Sequence, residues 1–260
     1  MIPISDSVRS RTTPYVNITF ITLNILVFLY QLTLNTFPES RSFLSELDVF
    51  FFDWGVIPAC LTDRFGFDPE TNPRALAFLC PEGDRVLATP FTSMFLHGGW
   101  LHLIGNMVFL WVFGDNVEDA MGHARYVVFY LVVGVAAGAA HIFMNQNDII
   151  PAIGASGAVA GVLGAYLVLY PRATVSAILP IFILFWIPFR VPAVLLIGFW
   201  FLLQLFSGFA AIAATDVTGA SGGVAWFAHI GGFIAGLVLV RVFTVGRGHR
   251  GRLRVVSGGW

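Results

Sequence analysis

Gly154-Ala155-Ser156-Gly157 stands at the head of an apolar run, Ala155–Tyr170, and a second run, Val224–Phe243, carries Ala228-His229-Ile230-Gly231-Gly232. Runs of this kind decide the fold. A helix needs about 20 apolar residues to cross a hydrocarbon core. The chain supplies six such stretches, near Val16–Leu34, Leu101–Val117, Tyr126–Met144, Ala155–Tyr170, Val191–Ala213 and Val224–Phe243. Composition agrees: 57% of residues are apolar, 11% are charged, and the mean hydropathy is +0.80. A soluble domain carries about 25% charged residues. The expected fold is therefore an all-α polytopic membrane protein, with a short segment 1–15, a membrane domain 16–243 and a basic tail 244–260. A long first loop, about 35–100, separates the first two spans.

Charge orients this arrangement. The long loop holds nine acidic residues against four arginines, whereas Arg9 and Arg11 precede the first span and Arg247, Arg250, Arg252 and Arg254 follow the last. By the positive-inside rule both termini are expected in the cytoplasm and the long loop outside it, in a multi-pass protein of the cell membrane. Residues 1–14 lack the charged-apolar-small pattern of a cleaved signal, so the first span is expected to serve as the signal. The segment Ala173–Pro188 is apolar enough to span, yet Pro180 and Pro188 interrupt it and Arg172 and Arg190 bracket it. A crossing there would carry the basic tail to the wrong side, so a re-entrant or interfacial hairpin on the cytoplasmic side is expected. A net charge of -1 argues against a nucleic-acid partner, which would call for a basic patch.

Spans two, four and six run in the same direction. They bring His97, His102, Asn106, Ser156 and His229 to one level of the bilayer. His102 and Asn106 are four residues apart and share a helical face, where imidazole and amide can both donate to a developing oxyanion. Ser156 opens its helix, where free backbone N–H groups and the dipole favour negative charge. A serine hydroxyl becomes a useful nucleophile only when a neighbouring base takes its proton, and His229 is the candidate base. Gly157-x-x-x-Gly161 and Gly232-x-x-x-Gly236 clear one face of each helix for close approach in lipid. Taken singly, each feature has a plainer reading. A membrane serine usually bonds back to its own helix, a buried histidine packs or relays protons, and glycine pairs are packing devices. Their order on three parallel spans favours chemistry.

Other candidates are weaker. Cys60 and Cys80 both fall in the long loop, where an oxidising compartment allows a disulfide, but spacing alone leaves the pairing open. No Cys/His metal spacing and no His-Glu-x-x-His motif occurs, so neither a metal nor another cofactor is expected. His141 is expected to be structural, His123 and His249 to be solvated, and Glu118 and Arg125 to serve a salt bridge or helix end.

The motifs His97-x-x-x-x-His102-x-x-x-Asn106, Gly154-Ala155-Ser156-Gly157 and Ala228-His229-x-x-Gly232-x-x-x-Gly236 together resemble those of rhomboid intramembrane serine proteases, over all six spans. The resemblance implies a six-transmembrane-helix rhomboid-like bundle that cleaves transmembrane protein substrates in the lipid bilayer. It implies Ser156 as nucleophile and His229 as base in a dyad without aspartate. It further implies an oxyanion hole of His102, Asn106 and the Ser156 amide, with His97 beside it and Gly154 in the serine motif. Two positions depart from some bacterial relatives: Ala88 and Thr89 stand nearest to a Trp-Arg pair, and Ala160 replaces a tyrosine that stacks on the catalytic histidine. The hold on His229 must then come from elsewhere, with Trp226 or Phe227 as the aromatic candidates. The alternatives are an inactive rhomboid-like membrane-protein binder and a transporter. A transporter would place charges deep in the bundle, and here they lie at span ends and in loops.

Overall fold

The computed structural model describes residues 1–37, 44–66, 73–181, 185–218 and 225–247. Most of the basic tail, including Arg250, Arg252 and Arg254, lies outside the described residues, as do parts of the long first loop. Strand β1 (Ile2–Asp6) precedes helix α1 (Tyr15–Gln31). The stretch expected as a loop contains α2 (Glu46–Trp54), α3 (Pro58–Arg64), α4 (Pro73–Leu79) and α5 (Thr89–Thr92), with 3-10 turns at Gly83–Ala88 and Ser93–Phe95. Next come α6 (Trp100–Met121), α7 (His123–Met144) and α8 (Ser156–Leu169), then a hairpin of β2 (Thr174–Ile181) and β3 (Phe185–Pro192). Helices α9 (Ala193–Thr218) and α10 (Trp226–Phe243) complete the described chain.

Among the described residues three helices are long and apolar enough to cross a membrane: α7, α10 and the Ala193–Ala210 part of α9. A fourth crossing results if Gly83–Phe95 and α6, which meet at 78°, form one broken span. Helix α1, with 17 residues, and α8, with 14, are apolar but shorter. At 1.5 Å per residue α8 rises only about 21 Å, less than the roughly 30 Å of a hydrocarbon core.

Helix α8 occupies the middle of the bundle, with every residue from Gly157 to Tyr166 buried. A helix that is apolar all round has no face for water and seeks complete enclosure. Its glycines and alanines also let neighbours approach closely. Helix α1 joins through Phe20, stacked on Tyr130 of α7 at 4.3 Å, and Phe28, edge-on to Trp100 of α6 at 5.0 Å.

The fold is not all-α. Strands β2 and β3 pair antiparallel, with Thr174 opposite Pro192 and Ile181 opposite Phe185, in the segment expected to form a hairpin. The chain's N-terminal residues add a third strand in the order β1-β2-β3, with an irregularity between Pro3 and Ser5. Proline removes a helix hydrogen bond, so Pro180 and Pro188 oppose a helix here. The strand partner for β2 comes from the chain's first six residues, a separation that local periodicity cannot reveal. Since β2 follows the C-terminal end of α8, the sheet lies at the end of the bundle away from Ser156.

Polar side chains close that same end. Glu118, fully buried, accepts from the backbone N–H groups of Val16 and Asn17 and so caps α1, which has no side-chain cap of its own. His123 is exposed, as expected, and its Nδ1 also pairs with the Glu118 carboxylate across the turn after α6. Arg125 donates to the carbonyls of Phe243 and Val245 past the end of α10, the helix-end role foreseen for it. Asp119 accepts from Arg11 and Thr12, each at 2.9 Å.

Candidate active site

The start of α8 is set by its approach loop. Gly154 has φ of +124°, a conformation that side chains disfavour. A Cβ there would stand 2.7 Å from the His102 ring, so glycine is demanded twice. The loop is held from outside the bundle. Gly154 N–H donates to the Ser93 carbonyl at 2.8 Å, Val56 and Ala152 exchange two backbone bonds at 3.0 and 2.7 Å, and Ala59 N–H donates to the Asp148 carbonyl at 3.0 Å. Cys60, next to this clamp, is joined to Cys80 in a disulfide, which resolves the pairing left open by the sequence. The segment between the first two apolar runs is thus a brace for the serine loop.

Helix α10 brings His229 to Ser156. Gly232 and Gly236 press on the backbone of α8: a Cβ on them would stand 2.0 Å from the Gly157 carbonyl oxygen and 1.9 Å from that of Gly161. Gly157 and Gly161 point chiefly at α7 instead, where added Cβ atoms would meet Ala137 at 2.6 Å and Val133 at 2.5 Å. The α8 stripe therefore serves a third helix as well as α10. In this packing Nε2 of His229 lies 2.7 Å from Oγ of Ser156. That is the spacing at which a hydroxyl gives its proton to an imidazole.

His102 lies on the other side of the serine, against Gly154. Its Nδ1 accepts a bond of 3.4 Å from Gly98 N–H. A neutral imidazole that accepts at one nitrogen carries its proton on the other. The Nε2–H thus lies on the side of Gly154 and the serine. Asn106 is buried and donates through Nδ2 to the His102 carbonyl at 3.0 Å, which leaves its second N–H available. His97 is buried with its ring edge-on to His102 at 5.1 Å. Its backbone is clamped by Gln31, which donates to the His97 carbonyl at 2.7 Å and accepts from its N–H at 3.1 Å.

Sequence reasoning missed two neighbours of His229. Gln204 of α9 accepts at Oε1 from the His229 Nδ1 side at 2.7 Å. The rings of Trp200 and Trp226 stand 6.0 and 6.2 Å from the imidazole, so one of the two aromatic candidates named from sequence is at the site and α9 contributes another. The available signal was an amide set within the apolar run of α9. Among the described residues no three His, Cys, Asp or Glu side chains gather to hold a metal ion.

The family model described as the Rhomboid domain matches residues 85–245. The chain is 26% identical over 247 residues to RHOMBOID-like protein 6, mitochondrial, of Arabidopsis thaliana, covering 88% of this chain and 69% of that one. It is 38% identical over 76 residues to Rhomboid protease GluP of Bacillus subtilis, 29% of this chain and 14% of that protein. Presenilin-associated rhomboid-like protein, mitochondrial, of Mus musculus is 30% identical over 109 residues, 40% and 29% of the two chains. The chain thus spans well under half the length of the last two. Two of these three relatives are named mitochondrial, a finding that overturns the expected cell-membrane location. Loop charge is the reason the expectation failed: it orients a protein relative to the side of synthesis but does not identify the membrane.

Proposed function

Because the chain belongs to the rhomboid family, we propose that it is an intramembrane serine endopeptidase that cleaves transmembrane segments of membrane-protein substrates. The observation that carries the reading is the 2.7 Å contact between Ser156 Oγ and His229 Nε2, beside an imidazole with its Nε2–H on the serine side. In this reading residues 16–243 form one membrane unit of six spans: α1, the broken pair ending in α6, and α7 to α10. The shortness of α8 then sinks Ser156 below the membrane surface at the end away from the β-sheet.

Ser156 attacks the scissile carbonyl while His229 takes its proton. The oxyanion is met by His102 Nε2–H, the free N–H of Asn106 and the backbone N–H of Ser156, groups already fixed before charge develops. His229 then protonates the leaving amine, and water releases the acyl group by the reverse sequence. His97 supports the ring of His102, and Gly154, Gly157, Gly161, Gly232 and Gly236 permit the approach of backbone and helices. A substrate helix shields its carbonyls within its own hydrogen bonds, so segments that unwind easily are the expected substrates.

An inactive membrane-protein binder of the same fold is the second reading. It has no need of a serine and histidine in hydrogen-bond contact, and this chain keeps both. Cleavage of a transmembrane substrate by the purified protein in lipid vesicles separates the two. Ser156→Ala and His229→Ala should each abolish turnover without additive loss, and near-normal turnover in Ser156→Ala would refute the serine mechanism.

A further inference from the structure

We propose that Gln204 is the positioning residue for His229, a neutral third member that fixes the imidazole's tautomer and orientation through a hydrogen bond at Nδ1. The proposal rests on the Ser156–His229 reading above and extends it to a helix on which the sequence marked no functional residue. For His229 to take a proton at Nε2, that nitrogen must be unprotonated and Nδ1 must carry the hydrogen. A group that accepts at Nδ1 selects this tautomer, and Gln204 Oε1 lies 2.7 Å away. In Ser-His-Asp hydrolases an aspartate does the same work. No carboxylate contacts His229 among the described residues, and the buried amide of Gln204 occupies that place.

An amide can turn over, and turned over it would do harm. Its N–H would then donate to Nδ1 and move the proton to Nε2, opposite the serine. The backbone decides which way it faces. Gln204 Nε2 donates to the carbonyl of Trp200, one turn earlier on α9, at 3.4 Å. Reversal would set the side-chain oxygen against that carbonyl oxygen. The hydrogen-bond inventory therefore allows one orientation, and it is the one that leaves His229 ready to act as base. The stacking of Phe201 on Phe233, at 4.2 Å and 20°, holds α9 against α10 within one turn of both partners. Trp200 and Trp226 limit ring rotation from two sides, but only Gln204 specifies where the proton sits.

The test compares Ser156→Ala, Gln204→Met and Gln204→Glu in lipid vesicles with one transmembrane substrate, alongside nitrogen NMR of the His229 ring. Gln204→Met keeps the volume and removes the acceptor. It should lower kcat by roughly 10- to 1000-fold with KM nearly unchanged, short of the about 10⁴-fold cost of disabling a charged third member. Its imidazole should show a mixture of tautomers where the wild type shows Nδ1–H. Gln204→Glu restores an acceptor and should recover much of kcat. Its carboxylate favours imidazolium, so the acid limb of the pH–rate profile should move to higher pH. His102 and His141 are the other titratable groups acting on this ring, and both are constant across the series. A packing role predicts the opposite order, because a buried charge would harm Gln204→Glu at least as much as Gln204→Met. Wild-type kcat and pure Nδ1–H tautomer in Gln204→Met, or a rise in KM alone, would overturn the assignment. Turnover surviving in Ser156→Ala would instead overturn the serine reading on which it rests.

Discussion

Replacing Gly232 by alanine puts one methyl group where the α10 helix leans on α8. The added Cβ would lie 2.0 Å from the Gly157 carbonyl oxygen, whereas real Cβ atoms essentially never come within 3.0 Å of a neighbour. The contact is with backbone, so no side chain can swing aside and the helices must part by about 1 Å or more at this level. Gly157 is one residue from Ser156 and Gly232 is three from His229, so the displacement passes almost undiminished to the Ser156–His229 contact. A Ser156–His229 separation of 2.7 Å would become about 3.7 Å, beyond hydrogen-bond range. A misplacement of about 1 Å costs on the order of 100-fold in rate, and overpacking of a close-packed contact costs about 1–3 kcal/mol of stability. The assay is kcat for a transmembrane substrate in lipid vesicles, with thermal unfolding in parallel. Gly236→Ala, whose Cβ would lie 1.9 Å from the Gly161 oxygen, should lose as much stability but less kcat, since it sits a turn farther from the dyad. Gly138→Ala on α7, with nothing within 4 Å of the new atom, is the control and should keep both. Full kcat in Gly232→Ala would refute the claim that this glycine contact sets the distance between serine and histidine.

Three further outcomes follow from the geometry. His102→Ala and Asn106→Ala should each lower kcat within the roughly 10- to 1000-fold range of a lost oxyanion donor, with little change in KM. His102 should cost more, because one Asn106 N–H is already engaged by the His102 carbonyl; a pure KM effect would assign either residue to substrate docking. Cys60→Ser should lower stability by about 2–4 kcal/mol in thermal unfolding. It should also reduce kcat, because the Val56–Ala59 clamp on the serine loop loses its brace, and unchanged values for both would show that the loop is held without it. Burial pushes the Asp6 carboxyl up to about 7 from 3.8, opposed in part by the Tyr166 hydroxyl. Its contribution to stability is complete below 3.8 and is lost as pH rises through about 7. Melting temperature measured from pH 4 to 8 should fall across that window and flatten in Asp6→Asn, and an identical slope in the variant would refute the assignment.

Much was legible in the sequence because the residues concerned act through composition or local spacing. Apolar runs announce the membrane helices, since only a helix satisfies its own backbone in lipid. His102 and Asn106 share a face by helix geometry, and the glycines of α8 and α10 are visible as four-residue repeats. The order of motifs singled out Ser156 and His229, which the structure brings into hydrogen-bond contact. Tertiary structure decided what distant segments supply to one another. The hairpin at Ala173–Pro188 was expected from its prolines and arginines, but its β-structure needed β1, from the chain's first six residues, to meet β2. Glu118 proved to be the cap of a helix that begins about 100 residues before it, and Gly157 and Gly161 were found to answer to α7 as well as α10. The hold on His229 is the clearest case. An amide in an apolar run is one polar residue among several until packing brings α9 to α10, because a hydrogen bond is made or lost within half an ångström and no sequence period encodes that distance.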